Sequence, residues 1–199
     1  GFLTSVGEAD MERALESVAH NTYQVSTRSI LQAEVERSGK QAGIYRALND
    51  VVISNGAASR VVTLDVSVNN DIGTSFVCDG LIVSTPSGST GHSLSAGGPI
   101  LTPETPAVVV TVICAHALSS RPLVLPDSSQ VSISVANSAG VVLITVDGQI
   151  GATLEREDIV RITKSPWKAR LIHLPGYSYF SVLRQKLHWM GSSIRQTSS

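Results

Sequence analysis

The chain has 199 residues, 42% of them hydrophobic and 16% charged, with a formal net charge of −1. That balance argues against the basic footprint of a nucleic-acid binder and against a polybasic membrane-surface patch. Aromatic residues, at 5%, are too sparse for a base-stacking platform, and no apolar run is long enough to span a bilayer.

The chain opens on Gly1-Phe2-Leu3-Thr4, which reads as the interior of a longer protein, so an N-terminal partner domain is expected. Residues 8–19 place Met11, Ala14, Leu15 and Val18 on one face at helical spacing, with acids in the first turn. Beyond Asn21 the period changes to two. Strands are expected over 28–36, 44–54, 61–68, 72–78, 81–85, 107–114, 131–136, 141–146, 152–154, 159–164 and 170–174. Turn signals such as Asn55-Gly56, Pro126-Asp127 and Asp147-Gly148 separate them. Many short strands at this spacing predict a mainly β, sandwich-like or barrel-like domain. Residues 178–190 put Phe180, Leu183, Leu187 and Met190 near one helical stripe, so the β domain carries a C-terminal helix as well as the short N-terminal one. Cys78 and Cys114 each end an apolar run. Two cysteines make neither a disulfide framework nor a zinc site, and they read as buried thiols in a reducing compartment.

The segment TPSGSTGHSLSAGGPIL, residues 85–101, interrupts this pattern. Pro86 stops strand pairing, Gly88 and Gly91 let a ligand approach the main chain, and 93–96 can form one helical turn. The result is a concave surface of backbone donors and small hydroxyls, suited to a base or a ribose, or else an elaborate structural turn. Known phosphate loops do not fit. No lysine lies between Val77 and Val112, GxGxxG is absent, and Ser87 replaces the first glycine of a nucleophile elbow.

Asn49-Asp50 sits inside the apolar run IYRALNDVVIS. A carboxylate and an amide there are costly unless paired. They read either as a strand-end turn or as a pair that fixes sugar hydroxyls, since a carboxylate can accept from two vicinal hydroxyls. Asp79 precedes the strand that feeds the loop and is placed near the loop's base. Asp147-Gly148 reads as a hairpin turn. His92 lies within the loop and could touch a ligand; His20, His116, His173 and His188 read as structural or surface residues.

Five blocks occur together and in order: ALND at 47–50, CDGLIVSTPSGSTGHSLSAGGPIL at 78–101, HALSSRPLVLP at 116–126, VDGQ at 146–149 and YSYFSVLRQKLHW at 177–189. In this they resemble the C-terminal domain of NAD kinases, and the likeness covers nearly all of residues 1–190. The resemblance implies transfer of the ATP γ-phosphate to the 2′-hydroxyl of the adenosine ribose of NAD, giving NADP. It also implies Mg²⁺ with ATP and a homodimer or homotetramer; with the composition above, a cytoplasmic protein with no nucleic-acid or membrane partner is expected. Residue by residue, Asn49 and Asp50 match the Asn-acid pair at the ribose, Thr90, Gly91 and Ser95 match positions at the adenine, and Asp79 matches an acid near bound NAD.

Two departures stand out. Gly91-His92 replaces the family's Ala-Tyr, so His92 either stacks or hydrogen-bonds in the tyrosine's place or leaves a looser pocket. The family's GGDGT phosphate motif, which supplies the acid for the hydroxyl, does not occur in the 199 residues. Residues 1–199 are therefore expected to be the acceptor-binding C-terminal domain of a longer kinase and inactive alone, with the 177–190 helix packing toward the absent domain. The rival readings are a non-catalytic NAD(P)-binding or assembly module and a lipid kinase of the same superfamily.

Overall fold

A computed structural model describes residues 6–56, 61–69, 71, 73–115 and 120–189. A 3-10 turn over Glu8–Asp10 leads into α1 (Met11–Ala19). Six strands follow: β1 (Gln24–Arg37), β2 (Lys40–Ala47), β3 (Asp50–Asn55), β4 (Val62–Val68), β5 (Thr74–Cys78) and β6 (Gly80–Ser84). A 3-10 turn at Gly88–Thr90 and the short α2 (His92–Ser95) come next. Then run β7 (Ala107–Ile113), β8 (Leu123–Pro126), β9 (Val131–Ser138), β10 (Val142–Val146), β11 (Gln149–Leu154), β12 (Ile159–His173) and α3 (Tyr179–Lys186).

The strands form two six-stranded sheets, ordered β2-β1-β12-β9-β4-β5 and β11-β10-β3-β6-β7-β8. Alternation along each strand sends every second residue inward. Leu31, Ala33 and Val35 of β1, Val62 and Leu64 of β4, and Ile133 of β9 meet Val51 and Ile53 of β3, Leu81 and Val83 of β6, and Ile144 of β10 in one core. The mainly β, two-layer expectation holds.

The middle strands of the second sheet, β3, β6 and β7, are buried on both faces. Val52, Ile82 and Val109 alternate with the core residues and point away from them, yet they are 5%, 0% and 0% exposed. Segment 85–101 is their cover. The Ser93 hydroxyl meets the Thr111 hydroxyl at 3.0 Å. Gly98 packs so tightly there that a Cβ on it would lie 2.3 Å from Ser93 Oγ. The unbroken apolar runs of β3, β6 and β7 follow from this two-sided burial.

By its contacts the chain divides into two compact units, Thr27–Ala169, which holds most of both sheets, and a unit made of residues 1–26 and 170–199. In the second unit His173 stacks on Tyr177 with ring centroids 3.7 Å apart and shares a 2.6 Å hydrogen bond with Ser26. Ser178 caps α3 by accepting from the Ser181 N–H. Leu183 is buried, whereas Phe180 and the α1 residues Met11, Leu15 and Val18 are exposed. Met190, assigned to the same stripe, lies outside the described residues.

Three expectations are corrected, and one strand is added. The run 44–54 is two strands in different sheets, broken at Leu48-Asn49, where the chain crosses from β2 to β3. β8 was not foreseen. The runs 159–164 and 170–174 are one strand; Pro166 is tolerated because pairing with β9 ends at Ile162, and the Ser165 hydroxyl accepts the Trp167 N–H. Cys114 is exposed, not buried, because the chain turns at φ +48° there, just past β7; Cys78 is buried.

Candidate functional site

The site is built where the crossing turn Leu48-Asn49-Asp50 meets the start of segment 85–101. β3 and β6 pair with Asp50 opposite Ser84, so the segment leaves β6 beside the first residue of β3. Three devices hold turn and segment together. The Thr85 N–H donates to the Asn49 carbonyl at 2.8 Å. The Thr85 hydroxyl donates to the Leu48 carbonyl at 2.6 Å and accepts the Gly88 N–H at 3.1 Å. Gly88 lies flat against the Asn49 backbone.

The other side of the turn is held from the β10–β11 hairpin. The Asp147 carboxylate accepts the N–H groups of Leu48, Asn49 and Asp50 at 2.8, 2.7 and 3.1 Å, and the Asp147 N–H donates to the Asp50 carbonyl at 3.0 Å. Asp147-Gly148 is a hairpin turn as expected, with φ of +48° and +79°. What the sequence reading missed is the second use of the carboxylate. Its only signal is the register that pairs Val146 with Val51, which no local pattern reveals.

Asp50 is 6% exposed and faces away from the core, under the segment. Burial pushes its carboxyl above the usual range, the nearby His92 pulls it down, and Asp147 pushes it up. Gly91, His92 and Ser95 are exposed, Asn49 is half-buried, and Thr90 is buried with its hydroxyl donating to the Ser87 carbonyl at 3.2 Å. Segment 85–101 supplies its own internal support through Ser89, whose hydroxyl donates to the Pro86 carbonyl at 2.7 Å and accepts the Leu101 N–H at 3.0 Å.

Asp79 stands elsewhere. It precedes β6, and the segment leaves the other end of that five-residue strand, a separation of about 17 Å at ordinary strand rise. Its neighbour is Cys114, whose thiol it holds above the ordinary value by hydrogen bonding and charge. So the structure brings together Asn49, Asp50, Thr90, Gly91, His92 and Ser95 on one connected turn and segment, and not Asp79. Among the described residues no group of three His, Cys, Asp or Glu side chains could hold a metal ion. No helix among them is long and apolar enough to cross a membrane.

Fold and site define a two-sheet antiparallel β-sandwich whose outer face carries a pinned turn and a hydroxyl-rich cover. Residues 48–174 match the ATP-NAD kinase C-terminal domain. The chain is 44% identical over 189 residues to an NAD kinase of Syntrophotalea carbinolica and 45% identical over 190 residues to one of Citrifermentans bemidjiense. Each alignment takes in 95% of this chain and 66% of the relative. It superposes on yeast NADH kinase complexed with NADH with a TM-score of 0.89 at 25% identity, covering 100% of this chain and 59% of that one. An NAD kinase from Archaeoglobus fulgidus in complex with ATP shares the fold, with a TM-score of 0.76 at 21% identity over 96% of this chain and 71% of that one. The chain belongs to the ATP-NAD kinase C-terminal domain family. It spans just under two thirds of the length of these curated relatives.

Proposed function

We propose that this chain is the acceptor-binding part of an NAD kinase, which moves the γ-phosphate of ATP to the 2′-hydroxyl of the adenosine ribose of NAD and yields NADP. The observation that carries the reading is the Asn49-Asp50 turn, held from two sides and joined through Thr85 and Gly88 to the segment that contains Gly91-His92, in a chain whose relatives are named NAD kinase. Asp50 accepts from the vicinal ribose hydroxyls and Asn49 both donates and accepts. Thr90, Gly91 and Ser95 border the adenine, and His92 stands where the family has a tyrosine.

Phosphoryl transfer depends on positioning and on charge neutralisation around the phosphates. This chain has no phosphate loop of the known patterns, and among the described residues no group of three His, Cys, Asp or Glu side chains that could hold a metal ion, so no step is assigned to Mg²⁺ here. ATP and its Mg²⁺ are taken by the third of the relatives' length that this chain does not span. Asp79 is remote from Asn49-Asp50 within one chain, and only the family resemblance, which also implies a homodimer or homotetramer, favours it as an acid near bound NAD. A cytoplasmic site of action fits two unpaired cysteines. The test is NADP formation from NAD and ATP by the full-length protein and by the 199-residue chain alone. The account expects turnover from the first and none from the second. No turnover by the full-length protein would overturn it.

A further inference from the structure

We propose that Asp147 is a positioning residue for the acceptor, fixing the Asn49-Asp50 turn in its sugar-binding shape through the main chain and not by touching substrate. This rests on the reading of Asn49-Asp50 as the ribose pair.

The crossing from β2 to β3 leaves three successive N–H groups, those of Leu48, Asn49 and Asp50, converging on one point. A concave run of N–H groups attracts an anion, and the protein supplies its own. Asp147 Oδ2 takes the Leu48 N–H, and Oδ1 takes those of Asn49 and Asp50. The return bond from the Asp147 N–H to the Asp50 carbonyl makes the attachment reciprocal. Bonds to an ionised acceptor are the stronger kind, and these join residues 97 to 99 apart in sequence. Thr85 and Gly88 hold the same turn through its carbonyl side. Asp147 is what holds its N–H side.

Asp147 is itself exposed, so its removal opens no cavity in the core. The loss should fall on the geometry of the turn and not on the fold as a whole. Its left-handed φ of +48° suits glycine and asparagine, so Asp147→Gly and Asp147→Asn both keep the hairpin unstrained. Glycine removes the anchor entirely. Asparagine retains a carbonyl oxygen for the Asn49 and Asp50 N–H groups but turns an NH₂ toward the Leu48 N–H.

The experiment uses the full-length protein. It compares KM for NAD, KM for ATP, kcat, melting temperature and backbone hydrogen exchange at residues 48–50 across wild type and the two variants. Asp147→Gly should raise KM for NAD about tenfold or more while KM for ATP stays within twofold, and amides 48–50 should exchange faster. Asp147→Asn should fall between it and wild type. A KM for NAD within twofold of wild type in both variants would overturn the proposal. So would a uniform loss of kcat, ATP binding and melting temperature, which would make Asp147 an ordinary turn residue. A wild-type protein that forms no NADP would instead overturn the kinase reading, and the positioning role with it.

Discussion

A Cβ placed on Gly88 would lie 2.1 Å from the carbonyl oxygen of Asn49 and 2.5 Å from its carbonyl carbon. Side-chain atoms do not approach backbone that closely, so only glycine lets the cover segment rest on the turn. The requirement is steric; the left-handed φ that demands glycine elsewhere is not at issue here.

Gly88→Ala should therefore push turn and segment apart. Overpacking of this kind costs about 1–3 kcal/mol, and the contact is with rigid main chain. Denaturant melts should show that loss, and NAD binding should weaken with it because both walls of the site move. A variant as stable as wild type would mean that the segment shifts freely over Asn49.

Asp50 carries opposite demands of stability and function. Its folded pKa lies above the ordinary carboxylate value, with burial the first cause. The stability it contributes is thus fully present below the ordinary range and is lost as pH rises through the folded value. At neutral pH the charged form is a net burden. Asp50→Asn should raise the melting temperature at pH 7, and the gain should fade as pH falls below the ordinary carboxylate range. A neutral-pH melting temperature below wild type would contradict this.

Asp158 is the reverse case. Its carboxylate accepts from Arg37 at 2.6 and 3.0 Å and from the Glu155 N–H at 2.8 Å, and the Arg37 guanidinium holds it below the usual range. Stability from this group is present above the ordinary carboxylate value and lost as pH falls through the folded one. Asp158→Asn should cost about 1–3 kcal/mol at neutral pH, nearer the lower figure because Arg37 is 38% exposed. It should also flatten the acid side of the stability curve. Parallel pH profiles for variant and wild type would remove the pair as the cause.

Much of this was legible in the sequence. Two-period alternation located β4 and β9, and the apolar runs of 81–85 and 107–114 located β6 and β7 because both faces of those strands are covered. The glycine and hydroxyl content of 85–101 marked the segment, though not that it would lie over Val52, Ile82 and Val109. What local pattern could not supply was pairing. In the run IYRALNDVVIS the polar Asn49-Asp50 admits a strand-end turn, but nothing local shows that the chain changes sheets there. The distance of Asp79 from the segment depends on which end of β6 each joins. The anchor role of Asp147 depends on the register of β10 against β3. β8 is four residues long and follows Arg121-Pro122, too brief to show a period.

The most direct test of the central claim is calorimetric titration of the full-length protein with NAD, wild type beside Asp50→Ala. Loss of one hydrogen-bonded carboxylate costs about 1.5–3 kcal/mol, roughly 10- to 150-fold in affinity. A loss in that range, with the variant still folded, is the predicted result and places the adenosine ribose at Asn49-Asp50. Equal affinity for the two proteins would contradict the account, because the carboxylate on which it centres would then be no part of the acceptor site.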